Sequence, residues 1–142
     1  MNKVVLFDTG LLLRSSIDTL DHAELSLHLW EKARDGKIHA CIAHQTVWEF
    51  FSVLTRLGIP HRKVAAEIKK HLQVFPLIAP RQQTFSNTLA SLQQLRWLKG
   101  AQIYDLFLAH TAIDNELETL YTYNDNHFSR FNLPLRIINR GL

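Results

Sequence analysis

The stretch Val4-Val5-Leu6-Phe7-Asp8 decides the fold of this 142-residue chain. Its first four residues are apolar, with β-branched and aromatic side chains, and such a run is typical of a parallel strand buried on both faces. Asp8 follows directly and therefore lies at the carboxyl end of the predicted strand. In an open parallel sheet, ligands bind in the crevice outside these carboxyl ends. The stretch thus predicts an α/β fold and a first candidate site residue, although an aspartate here can also serve only as a turn or helix cap.

Strand and helix patterns alternate along the rest of the chain, as they do in α/β layer folds. We predict further strands over 39–42, 74–78, 119–123 and 135–138. Because proline cannot donate to a central ladder, Pro76 makes the second of these either an edge strand or an irregular piece. We predict helices over 21–36, from 46 to about 57, over 60–72, from about 85 to 99 and from 102 to about 116. These patterns predict a mostly parallel sheet of four to five strands with helices on both faces.

Composition assigns the chain to the ordinary globular proteins and excludes several other classes. Hydrophobic residues make up 46% and charged residues 20%, which argues against a disordered protein. We expect no membrane span, because no stretch approaches about 18 uninterrupted apolar residues. Asp8 splits the N-terminal apolar run and no small-residue cleavage site follows it, so we expect no signal peptide. The single cysteine, Cys41, excludes a disulfide within the chain, and we expect a cytoplasmic protein.

The net charge permits an anionic partner without requiring one. It is formally +3 with the eight histidines neutral, and such a charge serves solubility as well as nucleic-acid binding. Basic residues gather at Arg56, 61–63 and 69–71, where a helix can grip phosphate or simply be solvated. Tyr104 and Tyr123 can stack on a base or pack in a crevice, and both alternatives stay open.

Two further acidic residues stand at unusual positions. Glu49 comes three residues after Thr46, which fits a capping box, but the first turn of a helix after a strand also lies beside the crevice. Asp105 shares a predicted helix face with small or apolar residues, among them Leu108 and Ala109. A dipole contact in the first helical turn is one role for Asp105. A buried carboxylate must otherwise be paired or bind a metal, and the packed face favours that second role.

Convergence of these acids predicts a metal site. In a parallel sheet with right-handed crossovers, Asp8, Glu49, Asp105 and Asn124 can gather at one carboxyl edge. Carboxylates a few ångströms apart repel each other unless a cation neutralises them. Their hard oxygen ligands suit Mg²⁺ or Mn²⁺, which can activate water against a phosphodiester. The constellation therefore predicts metal-dependent phosphoryl chemistry.

At these residues the chain resembles the PIN-domain family of ribonucleases and, within it, the VapC-type toxins of bacterial toxin–antitoxin pairs. Four segments carry the resemblance: VVLFDT at 4–9, QTVWEFF at 45–51, YDLFLA at 104–109 and YTYNDNHF at 121–128. Their polar residues Asp8, Glu49, Asp105 and Asn124 follow one another at separations of 41, 56 and 19 residues. Each segment is weak by itself, and the signal lies in all four occurring in order.

The resemblance implies a fold, an activity and a set of site residues. The fold is a three-layer α/β/α PIN-like domain spanning 1–142, and the activity is hydrolysis of RNA by metal-activated water. Asp8, Asp105 and Glu49 would bind Mg²⁺ or Mn²⁺, and Asn124, catalytic together with these three, would hold a further metal or water. The implied partners are an RNA substrate, an antitoxin protein and a second copy of the chain in a homodimer.

Two departures from the family pattern support an alternative function. Gly10 stands where the family commonly has Asn or Ser, so a side chain that helps to order the metal shell is missing. The fourth position is Asn124 rather than Asp, which keeps an oxygen ligand but loses a charge. Asp125 is adjacent and is a candidate substitute ligand. The alternative is a catalytically weak or inactive PIN-like module that binds RNA or a protein partner.

Overall fold

The computed structural model describes residues 3–142, so Met1 and Asn2 of the predicted domain lie outside the described residues. Its sheet has five strands: β1 (Val5–Phe7), β2 (Ala40–Ala43), β3 (Leu77–Ile78), β4 (Thr119–Tyr121) and β5 (Arg136–Ile138). They lie in the order β3-β2-β1-β4-β5, and every neighbouring pair is parallel. The predicted parallel sheet is confirmed, with β1 in its centre and the strand after Pro76 at an edge.

Seven helices accompany these strands in the described part of the chain. They are α1 (Thr9–Ser16), α2 (Ala23–Arg34), α3 (His44–Arg56), α4 (His61–Val74), α5 (Gln82–Leu92), α6 (Gln102–Asp114) and α7 (Asp125–Ser129). None of the helices within residues 3–142 is long and apolar enough to cross a membrane.

Two hydrophobic cores flank the sheet, because successive strand residues point to opposite faces. Val5 and Phe7 of β1 pack in one core with side chains from α1, α2, α3 and α4. Leu6, between them, packs in the other core with side chains from α6 and α7. Helices therefore cover both faces, and the predicted three-layer α/β/α architecture is confirmed.

Helix α5 ends at Leu92 and not at the predicted position 99, because residues 93–101 form turns. The other main differences lie at the carboxyl edge of the sheet. Helix α1 was expected only in the alternative in which Asp8 caps a helix, and that role is confirmed: α1 begins immediately after β1, where the Asp8 side chain accepts a hydrogen bond from the Thr9 backbone amide. The short helix α7 was not predicted. Helix α3 begins at His44, two residues before the predicted Thr46. Each of these helix starts brings polar side chains to the ends of the strands.

Helix α5 turns a different face to the core than its apolar pattern suggests. Phe85 is 67% exposed, whereas Thr84 and Thr88 are buried. The Thr84 hydroxyl donates a 2.8 Å hydrogen bond to Asp114 Oδ2 at the end of α6. Small hydroxyl side chains allow the two helices to approach closely, and the large apolar side chain is left at the surface.

The predicted basic stretch 69–71 is partly buried. His71 is only 3% exposed, and its Nδ1 accepts a 2.9 Å hydrogen bond from the Trp30 indole. Burial lowers the pKa of His71 to about 4, with the nearby Lys70 charge acting in the same direction. His71 is thus a neutral core residue and does not belong to a phosphate-binding surface.

Candidate active site

Two adjoining cavities lie at the carboxyl edge of the sheet, and the predicted acids line them. The Asp8 cavity, of about 280 Å³, is lined by residues that include Asp8, Arg14, Glu49 and Asp105. The His127 cavity, of about 370 Å³, is lined by residues that include Arg56, Tyr104 and His127. Glu49, Asp105 and Asn124 line both cavities. These three side chains therefore stand between the two cavities.

Asp8 lies directly after the central strand β1 and is only 9% exposed. Its Oδ1 accepts a 2.8 Å hydrogen bond from the Thr9 amide, and its Oδ2 accepts one of 2.8 Å from the Thr122 hydroxyl. Burial raises the pKa of Asp8 to about 6; the two hydrogen bonds oppose this rise, and the negative charges of Asp105 and Glu49 add to it. Asp8 thus caps α1 and also lines the cavity.

Thr122 connects two parts of the site. It follows β4 and is buried. Its hydroxyl accepts a 3.0 Å hydrogen bond from the backbone amide of Asn124 and donates one to Asp8. The orientation of the Asp8 carboxylate is therefore tied to the turn that presents Asn124. The sequence placed Thr122 inside a motif, but nothing in the pattern indicated this bond.

Glu49 is held on both of its carboxylate oxygens. Oε2 accepts a 2.8 Å hydrogen bond from the Thr9 hydroxyl, and Oε1 accepts one of 3.1 Å from Gln45 Nε2. Gln45 Nε2 also donates to the Tyr104 carbonyl at 3.0 Å, so it connects α3 to α6. The capping-box alternative is wrong, because α3 begins before Thr46 and the Thr46 hydroxyl has no partner within residues 3–142. Glu49 faces the cavities instead.

Asp105 lies in the first turn of α6, and its side chain is 26% exposed. Leu108 and Ala109 on the same helix are buried, as the pattern predicted. Burial raises the pKa of Asp105 and the negative charge of Glu49 raises it further, while His127 opposes the rise. Asp105 Oδ2 lies 3.8 Å from His127 Nδ1, a contact that the sequence did not indicate.

The two residues predicted for the fourth position, Asn124 and Asp125, lie in different surroundings. Asn124 is exposed and lines both cavities. Asp125 begins α7 and is absent from the linings of both cavities in the described part of the chain. The structure therefore brings Asn124 together with Asp8, Glu49 and Asp105, and it leaves Asp125 outside that group.

The Arg14 side chain fills the space beside Gly10. A Cβ atom built on Gly10 would lie 2.8 Å from Arg14 Nη1, and this nitrogen donates a 3.0 Å hydrogen bond to the Gly10 carbonyl. The Arg14 guanidinium also lies 4.9 Å from the centre of the Tyr123 ring. Arg14 was not among the predicted site residues, and its only sequence signal is its position one helical turn after Gly10.

The donor set fits a hard divalent cation in an open site. The side-chain oxygens of Asp8, Glu49, Asp105 and Asn124 are the ligand type that Mg²⁺ and Mn²⁺ prefer. Within residues 3–142, no three His, Cys, Asp or Glu side chains form a cluster that could hold a metal by themselves. Mg²⁺ usually takes one or two carboxylates and completes its shell with water and substrate oxygens. The arrangement suits that mode of binding.

Comparisons with known proteins agree with this architecture. The family model of the PIN domain matches residues 5–133. A search of curated protein sequences finds no match to the chain.

Several solved structures share the fold at low sequence identity. VapBC2 from Rickettsia felis, bound to a DNA fragment from its promoter, superposes with a TM-score of 0.74 at 17% identity, over 97% of this chain and 99% of that one. VapC20 from Mycobacterium tuberculosis, a sarcin–ricin loop cleaving toxin, gives 0.70 at 12% identity, over 93% and 98%. A toxin–antitoxin complex from Klebsiella pneumoniae gives 0.60 at 23% identity, over 94% and 99%. With the family model matching most of its length, the chain belongs to the PIN-domain family.

Proposed function

We propose that this protein is a metal-dependent endoribonuclease and the toxin of a toxin–antitoxin pair, built as a single nuclease domain over 1–142. One observation carries the proposal. Side chains from distant parts of the chain, Asp8, Glu49 and Asp105, line one cavity at the carboxyl edge of the sheet. Burial and mutual repulsion raise the pKa of both aspartates, which is the electrostatic setting that a cation relieves.

The chain's own residues have distinct roles in this proposal. Asp8 and Asp105 are the principal metal ligands, with Glu49 as a further ligand or as the acceptor that orients the attacking water. Asn124 contributes an amide oxygen to the metal or to its water, and Asp125 stays a candidate for an additional ligand. Bound Mg²⁺ or Mn²⁺ would supply an activated water and offset the negative charge that develops on the departing oxygen.

Hydrogen bonds hold the carboxylates ready for this task. Thr9 donates its amide to Asp8 and its hydroxyl to Glu49, so one residue fixes both acids. Gln45 fixes the other oxygen of Glu49. Because each carboxylate oxygen has further lone pairs, these bonds orient the groups without using up their capacity to bind a ligand. Preorganisation of this kind is what positions a water for in-line attack.

Partners and location complete the proposal. The structure from Klebsiella pneumoniae that shares this fold is a toxin–antitoxin complex, which supports an antitoxin protein as a partner here. A homodimer and a place in the cytoplasm stay predictions. Trp48, 68% exposed on α3, agrees with an intermolecular contact better than with a core position.

The second candidate function is a PIN-like module that binds RNA or protein and cuts weakly or not at all. The observation that favours it is the missing charge at Asn124, which lines both cavities. One carboxylate fewer lowers the attraction for a divalent cation, and slower cleavage would follow.

A cleavage assay separates the two functions. Purified protein is incubated with single-stranded and structured RNA in Mg²⁺, Mn²⁺ or EDTA, beside the variants Asp8→Asn and Asp105→Asn. Asp18→Asn is the matched control, because Asp18 is exposed in the turn after α1. Asparagine caps a helix as well as aspartate does, so Asp8→Asn should keep the fold.

We expect metal-dependent cutting that both site variants lose and that the control keeps. Cutting that persists in EDTA or in the site variants would refute the nuclease assignment. RNA binding without cutting would establish the second function.

A further inference from the structure

We propose that Arg14 binds a phosphate of the RNA backbone next to the acidic group, as the fixed cation of the substrate site. The inference rests on the proposed function and adds to it a contact for the substrate. It starts from the position of Arg14, which lines the same cavity as Asp8, Glu49 and Asp105. A polyanion that approaches this cavity meets three acids, and a fixed positive charge beside them favours its binding.

The guanidinium is held in place by neutral groups. Arg14 Nη1 donates to the Gly10 carbonyl at 3.0 Å, and the Tyr123 ring lies under the guanidinium at 4.9 Å. Arginine stacked on an aromatic face loses little further freedom when it binds an anion. Gly10 is part of this arrangement, since any side chain there would meet Arg14 Nη1.

Arg14 keeps its charge uncompensated although three carboxylates line its cavity. It takes part in none of the ion pairs within residues 3–142. Its buried Nε has no hydrogen-bond partner there, and Nη1 donates only to the neutral Gly10 carbonyl within these residues. A guanidinium has five N–H donors, so donors at the terminal nitrogens remain for a ligand. With a carbonyl and an aromatic ring as its neighbours and no ion pair within residues 3–142, the Arg14 charge is available to an anion.

The second cavity has an arginine of its own. Arg56 is exposed at the end of α3 and lines the His127 cavity. Glu49 and Asp105 line both cavities and therefore separate the two arginines. An RNA backbone that crosses the acids from one cavity to the other would meet Arg14 on one side and Arg56 on the other. Arg14 is the better held of the two, because the one hydrogen bond of the Arg56 side chain within residues 3–142 goes to the Ser52 carbonyl of its own helix, at 3.3 Å.

The test measures RNA binding separately from cleavage. A fluorescent single-stranded RNA of about a dozen nucleotides is titrated with the full chain in EDTA at several salt concentrations. The titration is repeated in Mg²⁺ in the Asp105→Asn background, in which we expect no cleavage of the RNA. The variants are Arg14→Gln, Arg14→Lys and Gly10→Ser. Arg96→Gln is the control, because Arg96 is exposed and lines neither cavity. Thermal melting checks that each variant is folded.

We expect Arg14→Gln to weaken binding about 10-fold, the loss typical of one hydrogen-bonded charged contact. Its salt dependence should become less steep by about 0.7 in log–log slope, the value for one phosphate contact on a single strand. Arg14→Lys should keep the slope and recover part of the affinity. Gly10→Ser should weaken binding with the charge intact, because the new side chain displaces the guanidinium. In cleavage assays of the variant that has Arg14→Gln alone, with all four proposed site residues unaltered, KM should rise more than kcat falls.

Different failures separate this inference from the proposed function. If Arg14→Gln and Arg96→Gln bind RNA with equal affinity and equal salt slope, and have equal KM, Arg14 is not a phosphate contact, while the nuclease assignment survives. If the unaltered chain neither binds nor cuts RNA, both the proposed function and the role of Arg14 are overturned.

Discussion

Thr122 Oγ1 donates a 2.8 Å hydrogen bond to Asp8 Oδ2, although 114 residues separate the two in the chain. Thr122 follows β4 and Asp8 follows β1, and these strands are neighbours in register from Val5–Thr119 to Phe7–Tyr121. The parallel pairing therefore brings both residues to the same edge of the sheet. Because the hydroxyl also accepts a hydrogen bond from the backbone amide of Asn124, its own hydrogen points toward Asp8. The bond fixes the orientation of the carboxylate that we propose as a principal metal ligand.

Replacing Thr122 by valine tests this relationship. Thr122→Val keeps the shape of the side chain but removes the hydrogen bond that lowers the pKa of Asp8. We expect the pKa of Asp8 to rise further and metal-dependent RNA cleavage at pH 7 to fall about 10-fold, as for loss of one bond to a charged group. Cleavage rates across pH 5 to 8 measure both effects. Thr119→Val, which alters a buried threonine at the start of β4, is the control, and equal activity of the two variants would contradict the prediction.

Asp8 should make the metal-free protein less stable at neutral pH. Its pKa is about 6 in the folded protein and 3.8 in the reference state. The folded state therefore binds the proton more tightly, and this stabilising contribution, complete below about pH 4, is lost as the pH rises through about 6. Asp8→Asn should accordingly raise the free energy of unfolding in EDTA at pH 7 by about 1–3 kcal/mol. Urea unfolding at pH 7 and pH 4.5 measures the effect, which should fall to about a third at the lower pH, since pH 4.5 still lies above the reference pKa of 3.8.

Mg²⁺ should reverse the sign of that comparison. A ligand that binds only the folded state stabilises it, so saturating Mg²⁺ should favour the unaltered protein over Asp8→Asn. If Asp8→Asn is less stable than the unaltered chain in EDTA at pH 7, burial of the charged Asp8 carboxylate does not destabilise the folded protein.

The sequence carried most of the information about the sheet and the acids. A short apolar run that is rich in β-branched and aromatic residues is typical of a buried parallel strand, and Asp8 followed from its carboxyl end. The structure buries Val5–Phe7 as β1 and leaves Val4 outside it, 39% exposed. Asp105 was identifiable because it interrupts an otherwise apolar helix that had to be buried. The sequence thus sufficed to predict those elements that had to be buried on both sides, because such burial leaves few alternative structures.

What the sequence could not predict depends on contacts between distant residues. The Thr9–Glu49 and Gln45–Tyr104 hydrogen bonds join residues 40 and 59 positions apart, and no local pattern encodes them. Helix α5 was misread for the same reason, since its packing partner Asp114 selects the hydroxyl of Thr84 over the ring of Phe85. Arg14 was missed because its role depends on the absence of a side chain at Gly10.

His71 should make the fold sensitive to acid. Its pKa is about 4 in the folded protein and 6.5 in the reference state, chiefly because it is buried. The unfolded state binds the proton more tightly, so stability is lost as the pH falls from about 6.5 to about 4, by up to about 3 kcal/mol. His71→Gln keeps an acceptor for the Trp30 indole but does not titrate. Urea unfolding at pH 7 and pH 5 should show a smaller pH dependence in this variant than in His28→Gln, whose histidine is exposed. Equal pH dependence in the two variants would refute the assignment.

Asn124→Asp should strengthen metal binding and cleavage. The residue lines both cavities, so a carboxylate there adds a negative charge beside Glu49 and Asp105. We expect the affinity for Mn²⁺, measured by calorimetry, to rise about 3- to 10-fold, in line with one added charge near a partly exposed site. Asn126→Asp, an exposed position that lines neither cavity, is the control for net charge. Asp125→Asn should change the affinity less than 2-fold if Asn124 is the ligand, since Asp125 lies outside both linings. A larger loss in Asp125→Asn, with no gain in Asn124→Asp, would make Asp125 the fourth ligand and would require the start of α7 to move when the cation binds.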